Sequence, residues 1–167
     1  MTRRKRGLVA GILFLAVALT LVAYVAGPFE DANNALESGD YATVLKLLHP
    51  LAIQGNAEAQ LKLGILYATG QGVERDYVAA VKWYRLSAEQ GYAEAQFALG
   101  VMYHSDLGVA LDDVQALMWF TLAASGFPPG AEHDRVAEGW KTLAEQMTPA
   151  QVAEAEKLAR ESKPRGE

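Results

Sequence analysis

Residues 56–91 and residues 92–127 are two copies of one pattern, with 15 of 36 positions identical. Ala57-Glu58-Ala59-Gln60 returns as Ala93-Glu94-Ala95-Gln96, Leu63-Gly64 as Leu99-Gly100, and Tyr67 as Tyr103. Farther along, Gly72-Val73 returns as Gly108-Val109, Asp76 as Asp112, Trp83 as Trp119, and Ala88 as Ala124. A period of this length restricts a chain to stacked arrays, in which each copy buries its apolar face against its neighbours. The same offset reaches backwards: Asp40-Tyr41 answers Asp76-Tyr77, and Ala52, Gln54 and Gly55 answer Ala88, Gln90 and Gly91. Forwards it fades after Gly126, where Pro128 and Pro129 interrupt the pattern, as the last member of an array commonly does.

Each copy reads as two helices. Asn56 is placed to cap the first, whose apolar residues Ala59, Leu63, Leu66 and Tyr67 fall on one face at helical spacing. Thr69-Gly70-Gln71-Gly72 ends it, glycine supplying the positive φ of a tight turn. Asp76 caps a second helix that turns Ala80, Trp83, Tyr84 and Ala88 inward and closes at Gly91. Asp112 with Gln115 has the form of a capping box in the next copy. Small residues alternating with rings suit closely crossing helices, since the first admit the approach and the second fill the gaps. Near the C-terminus Val136, Trp140, Leu143 and Met147 share a face, and Thr148, Pro149 and Gln151 stand as N-cap, N1 and N3 of a last helix. Met147 and Val152 are spaced for a hydrophobic staple, and Glu156 and Arg160 for an i,i+4 pair on the solvated side. Pro50 falls inside the second helix of the first hairpin, where a kink near His49 is expected.

These strings, Ala57 to Gly91 and again Ala93 to Gly126, resemble the Sel1-like repeat, a longer-looped relative of the tetratricopeptide repeat. The ending Met147 to Glu161 is similar to the C-terminal cap of bacterial Sel1-repeat proteins, and the resemblance covers roughly Asp31 to Lys163. The first hairpin departs from it, because Ser38-Gly39-Asp40 is a short turn of tetratricopeptide type. The resemblance implies an all-α, right-handed α-solenoid of about four helical hairpins occupying residues 28–163, ahead of a tail at 164–167. It also implies a non-enzymatic scaffold or adaptor for protein partners in extracytoplasmic complexes, with no cofactor.

Gly7 to Gly27 is a run of 21 residues without a charge, preceded by Arg3, Arg4, Lys5 and Arg6. About 20 helical residues span a hydrocarbon core of roughly 30 Å, so 7–27 is expected to be a transmembrane helix behind a basic cytoplasmic segment at 1–6. The basic cluster then orients the N-terminus inwards and the repeats outwards, into the periplasm if the cell is a bacterium, with the helix in the inner membrane. A cleaved signal is the competing reading and would give a secreted envelope protein that binds or processes cell-wall components. The run is longer than a usual signal core, and Tyr24 spoils the small-x-small site before Ala26, both of which favour the anchor.

Composition excludes several chemistries. Beyond the four basic residues at the start, 11 Lys and Arg stand against 20 Asp and Glu, a balance that repels a phosphate backbone and argues against nucleic acid as partner. Without cysteine there are no disulfides, thiolate nucleophiles or zinc–thiolate sites. His49, His104 and His133 lie in different hairpins, and His104 near Asp106 and the run Glu132-His133-Asp134 are the mixed clusters. Neither has the i,i+4 spacing of a helical metal site, so no metal is expected. The serines have no histidine placed as a base, which leaves no enzyme constellation.

What remains is a binding surface. Besides its core face, the first helix of each repeat carries a second apolar pair: Leu61 and Ile65 in one copy, Phe97 and Val101 in the next. Burial between stacked hairpins is one reading of these four; a concave groove for a partner segment is the other, since helical solenoids bind along their first helices. In the second reading His104, with Glu58, Lys62 and Glu94, forms the rim.

Overall fold

The structure, a computed structural model, describes residues 27–162. The basic segment 1–6, all but the last residue of the expected transmembrane helix 7–27, and the tail 164–167 lie outside the described residues. Among those described, no helix is long and apolar enough to cross a membrane. All the regular structure described is helical: α1 over residues 27–37, α2 Tyr41–Ile53, α3 Ala57–Thr69, α4 Tyr77–Glu89, α5 Ala93–His104, α6 Asp113–Gly126, α7 Ala131–Ala144 and α8 Pro149–Ser162. The chain divides into two compact units, one ending at Leu48 and one beginning at His49.

In the first unit, α1 stops at a short turn where Gly39 takes φ +75° and the Asp40 N–H bonds Ala35 O at 2.9 Å. Asp40 then starts α2, its carboxylate accepting from the Thr43 N–H at 3.1 Å and the Thr43 hydroxyl at 2.6 Å. Those bonds, the hydroxyl's first, hold the carboxyl pKa below the usual carboxylate value. Ala32, Ala35, Val44 and Leu48 are buried.

In the second unit each helix packs against the next through α6: α3 on α4, α4 on α5, α5 on α6. α2 runs to Ile53 with Pro50 inside it. The caps lie where the sequence placed them, with the Ala59 N–H donating to Asn56 Oδ1 at 2.8 Å and the Ala79 N–H to Asp76 Oδ1 at 2.9 Å. At Asp112 half of the expected capping box forms: the Gln115 N–H reaches Asp112 Oδ1 at 3.0 Å. The reciprocal bond is replaced, because the Asp112 N–H donates to Tyr103 O at 3.1 Å, as the Asp76 N–H does to Tyr67 O at 2.9 Å. The long loop of each repeat thus closes onto the end of its own first helix.

The loops also tie one repeat to the next. A Cβ at Gly108, where φ is +68°, would stand 2.3 Å from the Tyr77 carbonyl, so only glycine lets the second repeat's loop lie on the start of α4. One core cluster runs through α4, α5 and α6 and on to Leu143 of α7 and Ala155 and Ala159 of α8. In the final pair, α6 packs against both α7 and α8. Thr148 and Gln151, expected as N-cap and N3 of α8, form a full capping box, Thr148 N donating to Gln151 Oε1 at 2.9 Å and Gln151 N to Thr148 Oγ1 at 3.3 Å.

Candidate partner-binding face

The first helices of the two repeats present their second apolar pairs at matching registers. Leu61 and Ile65 are one turn apart on α3, and Phe97 and Val101 occupy the same turn of α5. Leu63, Leu66 and Leu99 on the other side of these helices are fully buried, which fixes how each helix is rotated. Leu61, Phe97 and Val101 are left half-buried, packed at the margin of the core, while Ile65 is 40% exposed. The strip is therefore neither sealed between hairpins nor detached from the core.

Phe97 is its most structured member. Its ring lies 5.5 Å from that of Phe120 on α6, tilted by 36°, and the Arg135 guanidinium of α7 sits 5.5 Å from its centroid. Arg135 in turn pairs with Glu132, which holds the cation where it covers one side of the ring. On the rim, Lys62 and Glu58 form an i,i+4 ion pair at 3.5 Å, and Glu94 is exposed. His104 is exposed and its Nδ1 lies 2.8 Å from Asp113 Oδ1. Its carboxylate partner is thus Asp113, nine residues on, whereas Asp106 turns away in a left-handed conformation, φ +55°, and accepts from the Leu111 N–H at 3.1 Å. His133 Nδ1 lies 3.4 Å from Asp134. Among the described residues no group of three or more His, Asp or Glu is placed to hold a metal ion. An apolar strip with a mixed-sign rim can take up side chains and charged groups of another polypeptide.

Sequence reasoning missed the buried amides. Gln60 and Gln96 are 3% and 6% exposed, and their Nε2–H groups donate to Ala52 O at 2.9 Å and Ala88 O at 3.1 Å. Each pins the end of one hairpin to the start of the next, and its recurrence within Ala-Glu-Ala-Gln was the available signal. Also unforeseen were the Ser87 hydroxyl donating to Ala57 O at 2.7 Å and the Trp140 Nε1–H donating to Thr121 Oγ1 at 2.9 Å.

The Sel1 repeat family matches residues 57–92 and 93–126. Among solved structures, a protective antigen of uropathogenic Escherichia coli displaying an SLR fold is 27% identical, with a TM-score of 0.74 over 83% of this chain. The chain spans 29% of that antigen's length. A Sel1 repeat protein from Oxalobacter formigenes is 29% identical, with a TM-score of 0.62, covering 71% of this chain and 88% of that one. No curated protein matches the chain.

Proposed function

We propose that this chain, which carries two Sel1 repeats at residues 57–92 and 93–126, is a non-enzymatic adaptor whose protein partner seats on Leu61, Ile65, Phe97, Val101 and His104. Sel1 repeats generally serve as protein–protein interaction scaffolds. The observation that carries the assignment to this face is the register: apolar pairs on α3 and α5, 36 residues apart, stay partly open while the residues behind them are sealed. Repeated side chains on successive first helices give a partner segment repeated seats.

The adaptor works at a membrane in this reading. The uncharged run 7–27 behind a basic cluster supports a single-pass anchor with the repeats on the far side of a bacterial inner membrane. Confinement to that surface raises the effective concentration of membrane partners. Mass measurement of the mature protein from membranes tests the tether; a product starting near Pro28 would show cleavage instead.

A photo-crosslinking amino acid at Ile65, compared with one at Leu86, tests the face. Leu86 is equally open, 45% exposed, but lies on a second helix. The expected result is one dominant adduct from Ile65 and none from Leu86, abolished by Val101→Asp with helicity retained. Equal or scattered adducts from both positions would remove the reading. Phe97→Ser with Val101→Ser separates the two readings of the strip, since lost folding means core and lost adduct with intact helicity means groove.

A further inference from the structure

The two repeats differ just after their second helices. In the first, the Gln90 side chain folds back over the end of α4, its Nε2 donating to Gln60 Oε1 at 2.7 Å and to Leu86 O at 3.1 Å. The residue 36 positions on is Gly126, and a Cβ there would stand 2.9 Å from Ala93 Cβ, so the second repeat has no side chain for that place. A groove of about 600 Å³ lies there instead. Gln115, Met118, Trp119, Leu122 and Gly126 border it, one face of α6 along nearly its whole length, and Leu158 of α8 forms part of the other side.

The border holds a single charged residue, Glu89, exposed at the last position of α4. The lysines and arginines that form ion pairs among the described residues meet Glu58, Glu132, Glu154 and Glu156, and none meets Glu89. A helix C-terminus carries about half a negative charge, and α4 and α6 both end at the groove, neither with a basic residue in its last turn. The positive end of α5 reaches the same corner, but it has Glu94 in its own first turn. One end of an otherwise uncharged groove is thus negative and without a counter-charge.

We propose that this groove seats an extended segment of a partner polypeptide that carries apolar side chains and a lysine, with the lysine ending at Glu89. The ammonium meets the carboxylate and the negative ends of the two helices, while its methylenes and the neighbouring apolar side chains lie on Met118, Leu122 and Leu158. From Gln115 to Gly126 is about 16 Å at 1.5 Å per helical residue, the span of roughly five extended residues. A free amine would fill one end and leave the apolar walls wet. None of the bordering residues belongs to the face assigned above, so the site stands whether or not that face binds.

Indole N–H signals of the ¹⁵N-labelled full chain test it, since Trp119 borders the groove and Trp83 and Trp140 do not. The probes are acetyl-Leu-Ala-Leu-Ala-Lys-amide, the same peptide with norleucine or glutamate in place of lysine, and butylamine. The expected result is a saturable shift of the Trp119 signal with the lysine peptide, which binds about fivefold tighter than the norleucine peptide, with the glutamate peptide weaker than both. Butylamine should bind more weakly than any of the three. Glu89→Gln, a change at an exposed position, should abolish the advantage of lysine over norleucine while far-ultraviolet circular dichroism is unchanged, and about 1 M salt should do the same to the parent. Equal binding of the lysine and norleucine peptides, an advantage that survives Glu89→Gln, butylamine as tight as the lysine peptide, or no shift at Trp119 with any probe would each overturn the proposal. Binding of the lysine peptide only after Lys163→Ala with Arg165→Ala would overturn it too, by making this chain's own tail the occupant.

Discussion

Gly64 and Gly100 lie beneath rings. A Cβ at Gly64 would stand 2.4 Å from Tyr84 Cδ1, and one at Gly100 would stand 2.4 Å from Phe120 Cε1, the same contact in both repeats. Glycine inside a helix costs about 1 kcal/mol against alanine, so Gly64→Ala gains that much in propensity. Tyr84 is only 4% exposed and cannot swing aside, and overpacking of this kind costs about 1–3 kcal/mol or more. The clash wins: Gly64→Ala and Gly100→Ala should each lower the urea midpoint, and either variant more stable than the parent would show that the rings yield. Burial also pushes the Tyr84 phenol up to about 12 from its ordinary value near 10. Folding therefore favours the neutral form, a contribution complete below pH 10 and lost as pH rises towards 12. Phe120 fills the equivalent place without a hydroxyl, so Tyr84→Phe should fold normally. Compared with the parent, that variant should retain roughly 2 kcal/mol more of its stability on going from pH 8 to pH 12, measured by chemical denaturation. Parallel losses in the two proteins would refute the assignment.

Helix ends show which parts of an element a sequence can announce. Asn56, Asp76 and Thr148 declare their helices because a cap acts within three residues, a distance that sequence spacing measures directly. The Asp112 box fails by half because its N–H is claimed by Tyr103 O, a partner brought back by the loop. α5 begins at Tyr92 with no side-chain cap, since the offset puts tyrosine where the first repeat has Asn56. The role of Gln60 and Gln96 was equally hidden: each reaches a carbonyl eight residues upstream, across the corner between two hairpins. Leu61, Ile65, Phe97 and Val101 were legible as a second apolar stripe, yet their half-open state depends on how near α6 and α7 come, as Arg135 over Phe97 illustrates. Because the Gln60 bond is buried, Gln60→Leu should cost about 1–3 kcal/mol, since Ala52 O keeps only the Gly55 N–H and Gln90 Nε2 loses its acceptor on Gln60, whereas Asp76→Ala at an exposed cap should cost about 1 kcal/mol. Thermal unfolding of the two variants side by side checks the order, and a costlier cap would reverse the argument.

At the scale of the second unit, α6 is the element on which the rest depends. Ala116, Leu117, Met118, Trp119, Phe120, Leu122 and Ala123 are all buried, so this helix is apolar on every side and needs neighbours on every side. α5 supplies one neighbour, and α7 and α8 supply the others, which explains why both members of the final pair pack against α6. α7 gives the core Val136 and Leu143, while α8 buries only the small side chains Ala155 and Ala159 and lays Leu158 beside Trp119. Ending the chain at residue 147 would bare Met118, Trp119 and Leu122 in part. Ending it at residue 127 strips both neighbours. Three large side chains at about 1.5–3 kcal/mol each then approach the 5–15 kcal/mol that holds a whole domain. The chain ending at 127 should therefore lose its cooperative urea transition, while the one ending at 147 keeps a transition at a lower midpoint with red-shifted tryptophan emission. A chain ending at 127 that unfolds cooperatively near the parent's midpoint would mean that α3 to α6 are self-sufficient and that the last pair is an addition to a finished core.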